Sequence, residues 1–116
     1  MVGAGATVST TGIVCQLGGG GGMTMAQIRR WTLIFDGTAS TGTTTVALQT
    51  WNSITAAWIT PATWNNLDLL VAMNAVCITA GNSYIYNFPD FPIEGVRINL
   101  TALGGGTFTG VIVATG

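Results

Sequence analysis

Hydrophobic and polar side chains alternate with a period of two in several short segments of the chain. In the first clear segment, Trp31, Leu33 and Phe35 take every second position. A period of two is typical of a strand with one buried face and one exposed face. The pattern predicts strands over residues 11–17, 29–35, 43–51, 54–59 and 84–88.

The end of the chain shows the alternation most clearly. Val96, Ile98 and Leu100 alternate with polar residues, and residues 104–106 are three consecutive glycines, which favour a turn. Residues 107–114 then resume the alternation. We expect the two segments to pair as a terminal hairpin.

Residues 67–79 are ambiguous. The spacing of Leu67, Leu70 and Val71 fits one short helical face, whereas residues 76–78 are typical of a strand. Composition favours strands in general, because the chain has nineteen Thr, 17 Gly, a single Glu and no Lys. We therefore expect an all-β fold, a β-sandwich or jelly roll of about eight strands at the spacing usual for such folds.

The first 25 residues differ from the rest of the chain. Residues 1–9 are small and Gly-rich, and residues 18–22 are five consecutive glycines, which would lose much backbone entropy in a regular element. We expect an extended Gly-rich N-terminal arm over residues 1–25, with a hinge at the glycine run. A β-sandwich domain is expected over residues 26–116.

Charged residues are rare, and their scarcity excludes several functions. Only 6% of the chain is charged, against about 25% in a typical soluble domain. Three Arg are too few to neutralise a run of phosphates, so we expect no direct binding of nucleic acid. The chain has no stretch of about 18 apolar residues, and we expect neither a membrane-spanning helix nor a signal peptide.

Candidates for catalytic chemistry are few. Without Lys or His, Schiff-base lysines, histidine general bases and histidine metal ligands are excluded. The glycine run lacks the Gly-Lys-Ser/Thr ending of a phosphate loop. Asp90 and Glu94 form a close carboxylate pair, but in a loop with two prolines such a pair is typical of a solvated loop rather than of a glycosidase. We expect no enzyme activity, no cofactor and no metal site, and two buried, unpaired thiols at Cys15 and Cys77.

Aromatic residues leave two interpretations open. A platform for sugar rings could be formed by Trp51, Trp58, Trp64, Tyr84 and Tyr86. Packing in a core or an interface explains these rings at least as well. Arg97 lies in the middle of a predicted strand among apolar neighbours, and we expect it to pair with a carboxylate or with a neighbouring subunit.

The balance of apolar and charged residues favours assembly. Hydrophobic residues make up 48% of the chain, and a surface so poor in charge adheres to itself unless neighbouring molecules cover it. Closed symmetry would bury the apolar patches between subunits. We therefore expect a homo-oligomer.

Two segments of the chain carry a resemblance to a known group of proteins. They are residues 46–58, which begin VALQTW, and residues 91–107, which read FPIEGVRINLTALGGGT. Together they resemble small β-sandwich structural proteins of tailed bacteriophages, in which a strand leads to a tryptophan. In that group a later proline-containing turn enters a V-R-x-N-x-T strand, a glycine-rich turn and a final strand. The resemblance covers about residues 43–114.

The resemblance implies a virion component, most like a head decoration or cement protein. Such proteins commonly form trimers on the capsid exterior and bridge neighbouring subunits of the major capsid protein. The arm before Thr24 would then contact that protein, and the sandwich would form the knob. The residues expected to bind the partner are Ile13, Val14, Leu17, Met23, Met25, Arg29 and Arg30.

Two other classes of function are weighed against this one. A tail or fibre adhesion module would use the same sandwich to hold a host-surface glycan, and it would need several aromatic rings exposed in one cleft. A free-standing enzyme would need a polar pocket, which this composition can scarcely line. The decoration protein is the expected function, and the adhesion module is the alternative.

Overall fold

Strands account for all the regular secondary structure in the part of the chain that the structure describes, which is residues 2–19, 29–66, 69–89 and 93–115. The structure is a computed structural model. In chain order, the strands are β1 (Val2–Val8), β2 (Gly12–Gly18), β3 (Arg30–Asp36), β4 (Thr44–Asn52), β5 (Ala57–Ile59), β6 (Trp64–Asn66), β7 (Leu69–Val71), β8 (Val76–Ile78), β9 (Ser83–Phe88), β10 (Gly95–Ala102) and β11 (Phe108–Thr115).

Nine of these strands form two antiparallel sheets packed as a β-sandwich. Sheet A has the order β1-β11-β3-β9. Sheet B has the order β2-β10-β4-β5, with β8 also paired to β4. A separate pair is formed by β6 and β7. The expected all-β sandwich is confirmed, whereas the jelly-roll topology stays a prediction.

The core lies between the two sheets because each long strand buries every second side chain. Leu33 and Phe35 of β3 and Ile112 of β11 are fully buried from sheet A, and Leu48 of β4 and Ile98 of β10 meet them from sheet B. A strand places successive side chains on opposite faces, so the alternation in the sequence becomes this division between core and surface. The strands predicted around residues 29–35, 43–51 and 84–88 are confirmed as β3, β4 and β9.

The structure differs from the expected N-terminal arm in residues 2–18. These residues form β1, which pairs with β11 along its whole length, and β2, which pairs with β10. Ala6 and Val8 pack against the core from β1, while Gly3 and Gly5 face solvent. A strand that alternates glycine with small apolar residues can therefore form the edge of a sheet. Both β1 and β2 belong to the sandwich. Residues 20–22 of the predicted hinge lie outside the described residues.

The two last strands do not form the expected terminal hairpin. β10 pairs with β2 and β4 in sheet B, whereas β11 pairs with β1 and β3 in sheet A. The glycine turn at residues 104–106 therefore carries the chain from one sheet to the other. The expected faces are still correct, because Ile98 and Ile112 both point into the core. Alternation identifies the buried side of a strand but not its hydrogen-bonded neighbour.

Two predicted segments differ in their boundaries. Only β5 remains of the strand predicted over residues 54–59, because the side-chain carbonyl of Asn52 accepts hydrogen bonds from the amides of Ile54 and Thr55 at 3.0 and 3.3 Å. Those bonds form a turn that holds residues 53–56 out of the sheet. In the ambiguous region, residues 69–71 and 76–78 form strands β7 and β8 and no helix, while Leu67 lies outside the described residues.

A bulge in β2 interrupts the alternation near the start of the chain. Asn99 lies opposite Ile13 and Ile98 lies opposite Cys15, so Val14 is an extra residue without a partner on β10. Val14 points inward, towards Gly110 of sheet A. A bulge of this kind turns the following side chains to the other face, and it decides which residues of β2 reach the surface.

Candidate functional site

The residues expected to bind a partner are divided between the core and the surface. Val14 is only 7% exposed and belongs to the core, and Leu17 is half-buried against it, so neither side chain faces a partner. Val14 is buried by its alternation with Ile13, and the bulge then turns Leu17 inward, away from the face that Ile13 occupies. Ile13 is 43% exposed, and Arg29 and Arg30 are exposed. The other two residues, Met23 and Met25, lie outside the described residues.

An apolar row crosses the outer face of sheet A. Ile85 of β9 lies opposite Ile34 of β3, which lies opposite Val111 of β11, which lies opposite Gly5 of β1. Ile85 is 68% exposed, and Ile34 and Val111 are half-buried. We call Ile34, Ile85 and Val111 the sheet A apolar row. Sequence alternation placed Ile34 on the outer face, but only the register shows that three branched side chains line up.

Strand β1 is an edge strand of sheet A, with no further strand paired to it among the described residues. The strand carries no charged residue and no proline, and its pairing with β11 runs in register without a bulge over Val2–Val8. Natural edge strands are usually protected by lysines, prolines or bulges, because their unpaired amides and carbonyls attract other strands. This edge has none of those devices, so it is suited to contact another molecule.

The five aromatic residues of the predicted sugar platform are not brought together. Trp64 is 3% exposed and packs in the core, with its ring centroid 5.6 Å from that of Trp31. Tyr84 and Tyr86 lie on sheet A, on the same face as the buried Phe35. Packing therefore explains these three rings. The remaining two, the tryptophans of the β4–β5 hairpin, meet on sheet B.

Trp51, Trp58 and Arg97 form a cluster on the outer face of sheet B. The two indole rings contact each other edge to face, with centroids 5.5 Å apart and an angle of 67° between their planes. The guanidinium carbon of Arg97 lies 4.6 Å from the centroid of the Trp58 ring, which is a cation–π contact. The Arg97 Nε–H donates a hydrogen bond to Gln49. We call Gln49, Trp51, Trp58 and Arg97 the cation–aromatic cluster.

Backbone geometry and further hydrogen bonds fix this cluster in place. Gln49 lies opposite Arg97 in the β4–β10 register, and its Nε2 donates to Thr60 Oγ1 at 2.8 Å. Gly19 passes so close to the tryptophans that a Cβ there would lie 2.8 Å from Trp51 Cβ and 2.9 Å from the Trp58 ring. The rings are therefore confined by the backbone of residue 19 as well as by Arg97.

Arg97 has no acidic partner among the described residues. In the part of the chain that the structure describes, Asp36 bonds to Thr38 and Ser83, and Glu94 accepts a hydrogen bond from Ser53. Desolvation by partial burial lowers the pKa of Arg97. The expected pairing of Arg97 with a carboxylate is thus not met within the described residues. A half-buried cation without a counter-ion is suited to hold an anion from outside.

Of the two carboxylates paired in the sequence, Asp90 lies outside the described residues. Glu94 is exposed directly before β10, beside the β4–β5 turn, where it accepts the hydrogen bond from Ser53. It borders a groove of about 380 Å³ whose lining residues are Thr50, Trp51, Asn52, Ser53, Ile54, Ile59, Ile93 and Glu94. The described residues contain no group of three or more acidic or cysteine side chains able to hold a metal ion. The described residues also contain no helix that is long and apolar enough to cross a membrane.

The two cysteines are free, as expected, but only one is sheltered. Cys77 of β8 is exposed, so the prediction that both thiols are buried is wrong for Cys77. Strand β8 is short and lies at the margin of sheet B. Cys77 lies opposite Thr45 there, and its side chain reaches solvent. Cys15 is half-buried, its thiol lies 3.6 Å from the carbonyl oxygen of Gly110, and burial raises the thiol pKa from 9.0 to about 11.

We expect iodoacetamide to distinguish these thiols at about pH 8, because only the thiolate reacts. With its raised pKa, Cys15 is on the order of one part in a thousand thiolate at that pH. Cys77 should be alkylated at least about tenfold faster, and the Cys15 rate should rise with pH up to about 11. Peptide mapping by mass spectrometry measures both sites in one sample, and equal labelling at about pH 8 would contradict the burial of Cys15.

Comparisons with known proteins inform the fold but not the site. No protein-family model matches the chain, and no curated protein matches it. A solved structure, titled "Crystal structure of PirA", is similar to this chain with a TM-score of 0.56 and 14% sequence identity. The match covers 97% of this chain and 93% of that one. At this identity the likeness concerns architecture alone, and it supports the all-β sandwich.

Proposed function

We propose that this protein is a virion structural protein that decorates the capsid exterior and stabilises it by bridging subunits of the major capsid protein. The observation that carries the proposal is the exposed sheet A apolar row, which ends at an unprotected edge strand. A row of branched apolar side chains of this kind is suited to contact a protein surface. The resemblance adds the expectation of a homotrimer and of a location on the virion.

The proposed mechanism is energetic rather than catalytic. Docking of the sheet A face removes the side chains of Ile34, Ile85 and Val111 from water. The free energy of binding becomes more favourable by about 25 cal/mol for each Å² of apolar surface that is buried. Costs of association reduce the gain for one copy. On a closed shell, many copies of the protein bind at once, and the contacts of all copies act together. A capsid subunit that is bridged to its neighbour is held in position for the next bridge. A weak interface can then strengthen a whole capsid.

An Ile85→Asp variant tests this proposal on capsid particles that lack the protein. We expect the unmodified protein to bind in many copies, on the order of hundreds per particle, as a decoration of a repeating surface would. An aspartate at Ile85, the most exposed position of the docked row, would be desolvated without a partner, so we expect at least about a tenfold loss of bound copies. Quantitative mass spectrometry of washed particles measures the copy number.

The matched control is Ile54→Asp. Ile54 is 93% exposed at the tip of the β4–β5 turn, outside sheet A, and the same substitution there should leave the copy number unchanged. Equal losses in the two variants would show that the apolar row is not the docking surface. A handful of bound copies for the unmodified protein would overturn the decoration proposal and favour a tail location.

The second candidate function is an adhesion module that holds a host-surface glycan. The cation–aromatic cluster favours it, because Trp51 and Trp58 lie together on a half-exposed face with Arg97 and amide side chains. This surface lies on sheet B, and the apolar row lies on sheet A. The two candidate functions therefore depend on different residues and can be tested separately.

A further inference from the structure

Contacts within the fold fix the side chains of the cation–aromatic cluster in place. The Arg97 side chain is fixed by the Trp58 ring on one side and by Gln49 at Nε, and Gln49 is itself held by Thr60. Long side chains usually lose much rotamer freedom on binding. Here the fold has already restricted that freedom, which favours binding at this position.

The two terminal nitrogens of the Arg97 guanidinium are available to a ligand. Its Nε–H is used by Gln49, whereas the two terminal nitrogens have no hydrogen bond or ion pair within the described residues. A guanidinium presents parallel N–H groups that match the two oxygens of a carboxylate. The position thus selects a planar anion of that size over a larger array of charges, since a single positive charge lies on this face.

The surroundings of Arg97 are those of a saccharide site. Trp51 and Trp58 are half-exposed, and an indole ring offers a flat apolar surface to the C–H face of a pyranose. Gln16 and Asn99 flank the cluster: Gln16 lies opposite Arg97 on β2, and Asn99 follows two residues later on the same face of β10. Their amides can donate to and accept from hydroxyl groups.

We propose that the cation–aromatic cluster binds an acidic saccharide, with the carboxylate on Arg97 and the sugar ring against the indole surface of Trp51 and Trp58. The inference narrows the ligand of the second candidate function to sugars that bear a carboxylate. It does not depend on capsid decoration, which involves sheet A.

Titration with a matched pair of probes tests the proposal. Methyl β-D-glucuronide and methyl β-D-glucoside share the pyranose ring and differ in whether C6 is a carboxylate or a hydroxymethyl group. We expect the glucuronide to shift the NMR signals of the Arg97 Nε–H and the Trp51 and Trp58 indole N–H groups, with at least about tenfold tighter binding than the glucoside. Sodium acetate, a carboxylate without a ring, should bind at least about tenfold more weakly than the glucuronide.

Two variants assign the effect to Arg97. Arg97→Gln should abolish the preference for the glucuronide over the glucoside. Arg97→Lys keeps the charge but loses the planar fork, so it should retain only part of the preference. Arg30→Gln is the matched control, since Arg30 is exposed on β3 of sheet A and its loss should change nothing. If Arg97→Gln does not fold, the probe comparison on the unmodified protein still decides the question.

Three results would overturn the proposal: no shift at the three N–H groups, equal affinity for the two glycosides, or acetate binding as tightly as the glucuronide. Each of these leaves the capsid experiment untouched, because Ile85→Asp alters sheet A and Arg97→Gln alters sheet B. Loss of particle binding in Ile85→Asp together with intact glucuronide binding would likewise separate the two functions.

Discussion

A Trp31→Ala variant is expected to lose about 3–5 kcal/mol of unfolding free energy, the usual cost of truncating a buried aromatic side chain. Trp31 is 1% exposed and stacks on Phe88, with ring centroids 4.0 Å apart and an angle of 11° between the planes. It also contacts Trp64 edge to face. One substitution therefore removes the centre of a three-ring cluster and leaves a large cavity between the sheets.

Urea unfolding followed by circular dichroism measures this loss. The total free energy of unfolding of a domain of this size is about 5–15 kcal/mol. The Trp31→Ala variant should therefore unfold at a much lower urea concentration or be unfolded in buffer. Ile34→Ala, three residues further along β3, is the control. Ile34 faces outward in the sheet A apolar row, and we expect a loss of less than about 1 kcal/mol there. Similar losses at both positions would mean that the assignment of inner and outer faces of β3 is incorrect.

Faces of strands were predictable because they depend on a local property. In β3 the three large apolar side chains of Trp31, Leu33 and Phe35 at every second position identify the buried side without any knowledge of neighbouring strands. The same holds for Ile98 in β10 and Ile112 in β11. Local turns were also identified correctly where the residue type determines them, as at the three glycines of residues 104–106.

Pairing of strands was not predictable, because it depends on contacts between distant parts of the chain. β10 and β11 follow each other and share a glycine turn, which favours a hairpin, yet they belong to different sheets. Residues 2–8 have too few large side chains to show a strand pattern. The strand predicted over residues 11–17 is present as β2, but the place of β1 and β2 at the sheet edges follows from partners far along the chain. The bulge at Val14 likewise exists only relative to β10.

The candidate site shows the same limit. Trp51 and Trp58 were recognised as possible ligand-binding rings, and Arg97 as a cation that needs a partner. Their meeting depends on the β4–β10 register, which sets Gln49 opposite Arg97, and on the β4–β5 hairpin, which sets Trp51 opposite Trp58. The predicted sugar platform also included Trp64, Tyr84 and Tyr86, which instead pack in or against the core. A pattern of residue types identifies candidates, and register selects among them.

The second large effect is expected at Gly106, in the turn that carries the chain from sheet B to sheet A. Gly106 has a φ of 73°, and a Cβ there would overlap the carbonyl oxygen of Ala39 and lie 3.1 Å from Ser40 Cα. The neighbouring backbone is held by the hydrogen bond from Thr107 N–H to that same Ala39 oxygen at 3.2 Å. A Gly106→Ala variant must therefore accept a left-handed backbone and also displace a hydrogen-bonded loop, at a cost of about 2–4 kcal/mol.

Gly81→Ala is the control that separates these two costs. Gly81 has a φ of 81°, close to that of Gly106, but a Cβ there would meet no atom within 4 Å. We expect it to lose only about 1 kcal/mol, the penalty of the left-handed conformation alone. Urea unfolding of the two variants under the same conditions measures the difference. If Gly106→Ala is no less stable than Gly81→Ala, the crossing between the sheets does not pack against residues 39 and 40, and the route of the chain from β10 to β11 would need to be redrawn.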